Sequence, residues 1–173
     1  MSERCYKFSW DFVGDVELGR PNMKNLARIE VYRLFQYCLR DVLENRYGTE
    51  ESDHILYEAG YLAGKHLCER FVGNHDSFNR YLEKVQTVLE ELKIGILRME
   101  SSDQEKSFFT LTVAEDLDCS GLPDIDHAVC TYDEGFIAGV FNFHTSQDFG
   151  VKEIDCWCTG DRTCRFEVKP KTR

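Results

Sequence analysis

The stretch Val151–Val168, VKEIDCWCTGDRTCRFEV, decides how this chain is read. Both its ends alternate apolar and polar residues with the period of a strand, and Gly160-Asp161 supplies turn residues between them. FGVKEIDCW and CRFEVK are therefore predicted to pair as a β-hairpin. Cys156, Cys158 and Cys164 crowd that turn. If the turn takes Gly160, Asp161 and Arg162, Cys158 faces Cys164 directly, with Cys156 diagonal on the same face; a shorter turn puts Cys156 and Cys164 on opposite faces. On this spacing alone, buried thiols, a Cys158–Cys164 disulfide and metal ligation all remain open. A thioredoxin-like redox pair is excluded, because Cys156-x-Cys158 lacks the C-x-x-C spacing.

A four-coordinate zinc would need two more donors from elsewhere in the chain. The nearby candidates are Cys119, His127, Cys130 and Glu153. Cys130 falls near the predicted start of a helix, where the helix dipole favours a thiolate. Glu153 precedes Cys156 by three residues, which places the two on opposite faces of a regular strand, so joint ligation requires a β-bulge. His127 reads as a surface or capping histidine.

Helical periodicity predicts helices from Leu26 to about Arg46, from Thr49 or Ser52 through Val72, and from Asp76 or Ser77 to about Leu92. Gly60 and Gly64, with Ala59 and Ala63, form a small-residue face that admits close approach of another helix, inside the domain or across a dimer. GILRMES and KSFFTLTVAED read as two strands. DLDCSGLPDID reads as a loop whose acids Asp116, Asp118, Asp124 and Asp126 are solvated and do not match a calcium loop. A further helix, Ala128 to His144, carries apolar residues on most sides and is expected to be buried. The order predicts an α+β domain: an antiparallel sheet of about four strands packed with N-terminal helices and one buried central helix. Residues 1–25 are expected to be an N-terminal arm and 26–173 a single domain.

Composition bounds the function. The 173 residues carry a formal net charge of -10, which disfavours nucleic acid and anionic membranes as partners. No secretory signal or membrane span is apparent, so a cytoplasmic location is expected, and there the 8 cysteines are unlike a disulfide framework. No Walker loop, G-x-G-x-x-G or G-x-S-x-G motif is present.

LYEAGYLAGKHL, DLDCSGLP, CTYDEGFIAGVF and VKEIDCWCTGDRTCRFEV together resemble the 4-vinyl reductase-like (predicted hydrocarbon-binding) domain. Its superfamily includes a Golgi-transport subunit and haem-based nitric-oxide sensors; nothing here resembles their haem motif. In the phenol-sensing activators of the family, a structural zinc is held by the pattern C-x22-E-x2-C-x7-C. Cys130, Glu153, Cys156 and Cys164 reproduce that spacing, so the resemblance implies a structural zinc at these four residues, with Lys152, Arg162 and Arg165 near enough in sequence to offset its charge. Cys158 falls outside the pattern. The resemblance also implies an apolar cavity for a small hydrophobic or aromatic ligand, with Phe109 and Trp157 as wall residues. The implied role is that of a sensor or carrier, a homodimer whose signal passes to a separate partner. The alternatives are an accessory protein or enzyme in tetrapyrrole vinyl-group reduction, or an adaptor in a multiprotein complex. No catalytic residue is assigned.

Overall fold

The structure is a computed structural model and describes residues 6–103 and 105–171. The first five residues of the expected arm lie outside it. The chain divides into two compact units, one up to Cys38 and one from Leu39. The first holds a 3-10 turn, Trp10–Val13, and a short helix α1, Val16–Gly19. Asp15 caps α1 by accepting a hydrogen bond from the Leu18 N–H at 2.9 Å. The first part of α2 (Ile29–Tyr47) follows, with Val31, Leu34 and Phe35 on one helical face, all exposed.

In the second unit α2 ends at Tyr47 and α3 (Thr49–Leu67) begins after a single residue. Gly48 makes that joint with φ 79°, a conformation that strains any residue with a Cβ. Gly48 thus takes the N-cap position expected of Thr49 or Ser52, and the Ser52 hydroxyl donates back to the Gly48 carbonyl at 2.7 Å. A π-helical turn, Cys68–Val72, follows α3. Ser77 caps α4 (Phe78–Glu91), accepting from the Arg80 N–H.

Strands β1 (Ile96–Asp103), β2 (Phe108–Ala114), β3 (Phe149–Asp155) and β4 (Cys164–Pro170) form one antiparallel sheet in the order β1-β2-β4-β3, and α5 (Thr131–Thr145) lies between β2 and β3 in sequence. The fold is α+β, as the order of elements predicts. The inward residues alternate as the pleat requires: Phe109, Leu111 and Val113 on β2, Phe149, Val151 and Glu153 on β3, Cys164, Phe166 and Val168 on β4. They pack on α5, where the Phe141 ring lies 5.1 Å from Phe109 and 5.3 Å from Phe149, centroid to centroid. Behind α5, Tyr81 is fully buried, stacks on His144 at 4.4 Å and donates its hydroxyl to the Val140 carbonyl at 2.7 Å.

The small-residue face is used inside the domain, against α5. A Cβ on Gly60 would lie 2.0 Å from the Tyr132 carbonyl oxygen, and one on Gly64 2.2 Å from that of Phe136. From the other side, Gly135 and Gly139 meet the carbonyl oxygens of Tyr57 and Tyr61 at 1.9 and 2.1 Å. Four glycines thus let the two backbones touch.

The hairpin differs from its sequence reading in one respect. β3 stops at Asp155, and Cys156 to Thr163 form a loop containing a 3-10 turn, Trp157–Thr159. Cys158 therefore does not face Cys164 across a ladder. The cause is a register shift between Glu153 and Asp155 that ends regular pairing early.

Candidate metal centre and adjoining cavity

Four elements converge at one end of the sheet. Cys130 is the N-cap of α5, Cys164 opens β4 opposite Val113, Cys156 follows the last residue of β3, and Cys119 lies on the loop between β2 and α5. Their Sγ atoms all lie within 4.8 Å of one another, and each residue is at most 1% exposed. Cys130 Sγ is 3.8 Å from Cys156 Sγ and 3.9 Å from Cys164 Sγ, and Cys119 Sγ is 3.1 Å from Cys164 Sγ. A tetrahedral ion with metal–sulfur bonds of about 2.3 Å requires sulfur–sulfur edges of about 3.8 Å. Two edges match that length, the Cys119 edge is shorter, and the donor set fits a thiophilic divalent ion.

Local chemistry holds each donor. Asp116 Oδ1 accepts from the N–H groups of Asp118 and Cys119 at 2.7 and 3.1 Å, folding the loop into a turn that aims Cys119 inward. The Ile125 N–H donates to the Cys158 carbonyl and the Trp157 indole N–H to the Leu122 carbonyl, both at 3.0 Å, tying the Cys119 loop to the Cys156–Thr163 loop. The bulge that joint ligation by Glu153 and Cys156 requires is present, between Glu153 and Asp155. Glu153 turns its carboxyl inward, and neither buried oxygen has a hydrogen-bond partner. Its pKa is pushed up to about 8, first by burial and then by the nearby Cys156 sulfur, and it also senses Cys130 and Cys164.

The sulfurs shift one another's pKa in opposite directions. Hydrogen bonds to Cys119, Cys156 and Cys164 hold the Cys130 thiol far above its ordinary range, and those from Cys119, Cys130 and Cys164 hold Cys156 far below it. Such a proton-sharing set becomes a ligand set once a cation replaces the protons. The basic residues near in sequence have other partners: Lys152 bonds Glu134 at 2.9 Å, Arg165 bonds Glu100 and Asp155, and Arg162 stands 5.5 Å over the Trp157 ring. Glu134 in turn accepts the Glu153 N–H at 2.9 Å, which fixes β3 against α5.

Of the four residues expected to hold zinc, Cys130, Cys156 and Cys164 belong to this sulfur group, and its fourth member is Cys119; Glu153 is buried beside the sulfurs but is not one of the four mutually close donors. The convergence of Cys119 has no signal in residue spacing; the one local hint is Asp116 three residues before it, which favours a turn. Cys158 is buried beside the group but outside it, its thiol pushed up to about 12 chiefly by burial. His127 bonds the Ile125 carbonyl at 2.8 Å. Solvation holds for Asp124 and Asp126 but not for Asp116 and Asp118, which are buried; the turn beneath the sulfurs draws them in.

Next to the sulfurs lies an apolar cavity of about 30 Å³ between α4, α5 and the sheet, lined by Val85, Leu97, Leu111, Phe136 and Val140. Asp116 and Asp133 close one end, and with Cys130 they place ligand atoms within 4.8 Å of one another. Asp133 Oδ2 is buried without a partner, and burial holds its pKa well above the usual carboxyl range. Phe109 sits instead in the aromatic cluster with Phe78, Phe141 and Phe149. Trp157 clamps the loops.

This arrangement can be set beside known proteins. Residues 109–170 match the V4R domain. That span carries the inward strands, α5 and the whole sulfur group. An uncharacterised protein of Methanocaldococcus jannaschii is 25% identical over 157 residues, covering 91% of this chain and 86% of its own. A vinyl-4-reductase family protein of the same organism superposes with a TM-score of 0.63 at 16% identity, covering 98% of this chain and 100% of its own. The phenol-responsive sensory domain of the transcription activator PoxR, solved with phenol, gives 0.61 at 15% identity, covering 84% and 75%. Trafficking protein particle complex subunit 3 of Naegleria fowleri, covalently bound to palmitic acid, gives 0.65 at 13% identity, covering 83% and 95%. At these identities the structural likeness is one of fold.

Proposed function

We propose that this chain binds a small hydrophobic or aromatic molecule as a sensor or carrier, in a domain spanning residues 26–173 that a structural zinc holds closed. The observation that carries the reading is the apolar cavity abutting the sulfur cluster: an interior space whose polar end is built from the same loop and helix that present Cys119 and Cys130. In the fold neighbours, PoxR was solved with phenol and the trafficking subunit with a fatty acid, which supports an apolar guest. About 30 Å³ is room for little more than a water molecule, whereas an engineered cavity that takes benzene measures about 150 Å³, so the guest must spread the side chains as it enters. Asp116 and Asp133 favour a guest with one hydrogen-bond donor on an otherwise apolar body.

Zinc is assigned to Cys130, Glu153, Cys156 and Cys164. The ion would link α5 to β3 and β4; a saturated site with no open position supplies structure and not activated water. A second copy as partner is supported by exposed Val31, Leu34 and Phe35 on α2, and output through a separate protein completes the reading. No helix among the described residues is long and apolar enough to cross a membrane, and we place the protein in the cytoplasm. Native mass spectrometry of the purified protein tests these points together. One zinc per chain that disappears in Cys164→Ser, a dimer mass and a retained small molecule are expected. A wild-type chain that is free of metal and ligand after reconstitution with zinc overturns the reading.

A further inference from the structure

Four sulfurs lie close enough to share one ion, and a buried carboxyl stands beside three of them. Cys130, Cys156 and Cys164 are common to two overlapping sets: with Cys119 they form the group whose sulfurs lie within 4.8 Å, and they are also the three sulfurs that perturb the Glu153 carboxyl. Cys119 enters from the loop after β2, its Sγ 3.1 Å from Cys164 Sγ. Glu153 enters from β3 with two buried oxygens that no hydrogen bond satisfies. An unpaired buried carboxyl is costly, and a ligand bond to an ion would satisfy it. With the three shared sulfurs bound, a tetrahedral ion has room for only one of Cys119 and Glu153 at a time.

We propose that Cys119 and Glu153 are interchangeable fourth ligands of the metal, so that the ion is held by three fixed thiolates and by whichever of the two is available. This rests on the zinc reading above. Exchange needs no redox step: the arriving donor gives up its proton to solvent, the departing donor takes one up, and the metal keeps its charge. The two states differ mechanically. With Glu153 bound, the ion ties only α5, β3 and the start of β4; with Cys119 bound, it also pins the loop that carries Asp116 to the end of the cavity.

The test is a double-mutant cycle on the full chain loaded with zinc, reading affinity by competition with a chelating dye and the ligating atoms by X-ray absorption. Cys119→Ala and Glu153→Gln are each expected to keep one ion per chain, with affinity lowered by no more than about tenfold, and the double variant to lose far more than the product of the two. The absorption spectrum should report four sulfurs in Glu153→Gln and three sulfurs with one oxygen in Cys119→Ala. Complete loss of metal in either single variant, or a double variant that loses only the product, overturns the exchange while leaving the zinc site standing. Absence of metal from the wild type overturns both. Circular dichroism of each metal-free variant separates a folding failure from a lost ligand, and Cys119→Ser is the substitute should Cys119→Ala fail to fold.

Discussion

Cys156 and Cys158 are two positions apart and both buried, yet only the first belongs to the sulfur group. The 3-10 turn that follows β3 separates them, because it rotates Cys158 toward the loop whose Ile125 N–H its carbonyl accepts. Cys158→Ser is therefore expected to retain bound zinc, whereas Cys156→Ser loses it; elemental analysis of the two purified variants checks this. Tyr81 supplies a second single-atom prediction. Its hydroxyl bonds Val140 inside the core, 3.1 Å from Cys68 Sγ, and Tyr81→Phe leaves that carbonyl without its donor. A loss of about 1–2 kcal/mol is expected, read as a lower denaturant midpoint with unchanged slope. At this scale the sequence was informative where a residue's oddity could be seen: Glu153 stands at an inward position of an alternating strand, and a charge there asks for a partner. It offered Cys119 only as one candidate donor among several, because a loop has no period from which to infer direction.

Among elements, the helices and strands follow from periodicity, while their ends do not. β3 reads as continuing to Trp157 because the alternation persists, but the bulge after Glu153 ends the ladder at Asp155. The close-packing face on α3 was legible from its glycines; its partner could be identified only when Gly135 and Gly139 of α5 were found opposite. Substitution tests that contact. Gly135→Ala puts a methyl 1.9 Å from the Tyr57 carbonyl oxygen, backbone against backbone, and is expected to cost about 3 kcal/mol or more. Gly150→Ala meets nothing nearer than 3.8 Å and is expected to change stability by less than about 0.5 kcal/mol. Urea unfolding of the two variants, compared with wild type, measures both.

For the molecule as a whole, the proposed zinc would link metal binding to folding. Ligand sulfurs must shed protons to bind, so zinc affinity falls as pH is lowered, and stability falls with it. At a free zinc concentration about a thousandfold above Kd, binding contributes about 4 kcal/mol, worth about 10 °C in Tm for a domain of this size. Chelation at neutral pH is expected to remove that increment, and acidification to remove it without chelator; scanning calorimetry with and without zinc measures both effects. The sulfur group was partly readable, because the family resemblance names Cys130, Cys156 and Cys164 together by their spacing. The cavity beside it was not, since its walls come from α4, α5 and two strands whose approach no local pattern records.

The glycine seam bears on how such a domain could transmit an event. Helices whose backbones touch have no compressible layer of side chains between them, so α3 and α5 behave as a single girder, and Thr131 at the tip of α5 is bolted to Asp53 of α3 at 3.1 Å. A guest that wedges open the cavity cannot be absorbed by bending that girder. Asp116, at the end of the cavity, belongs to the loop from Glu115 to Val129, and a displacement passed to that loop would be what a listening partner could hear.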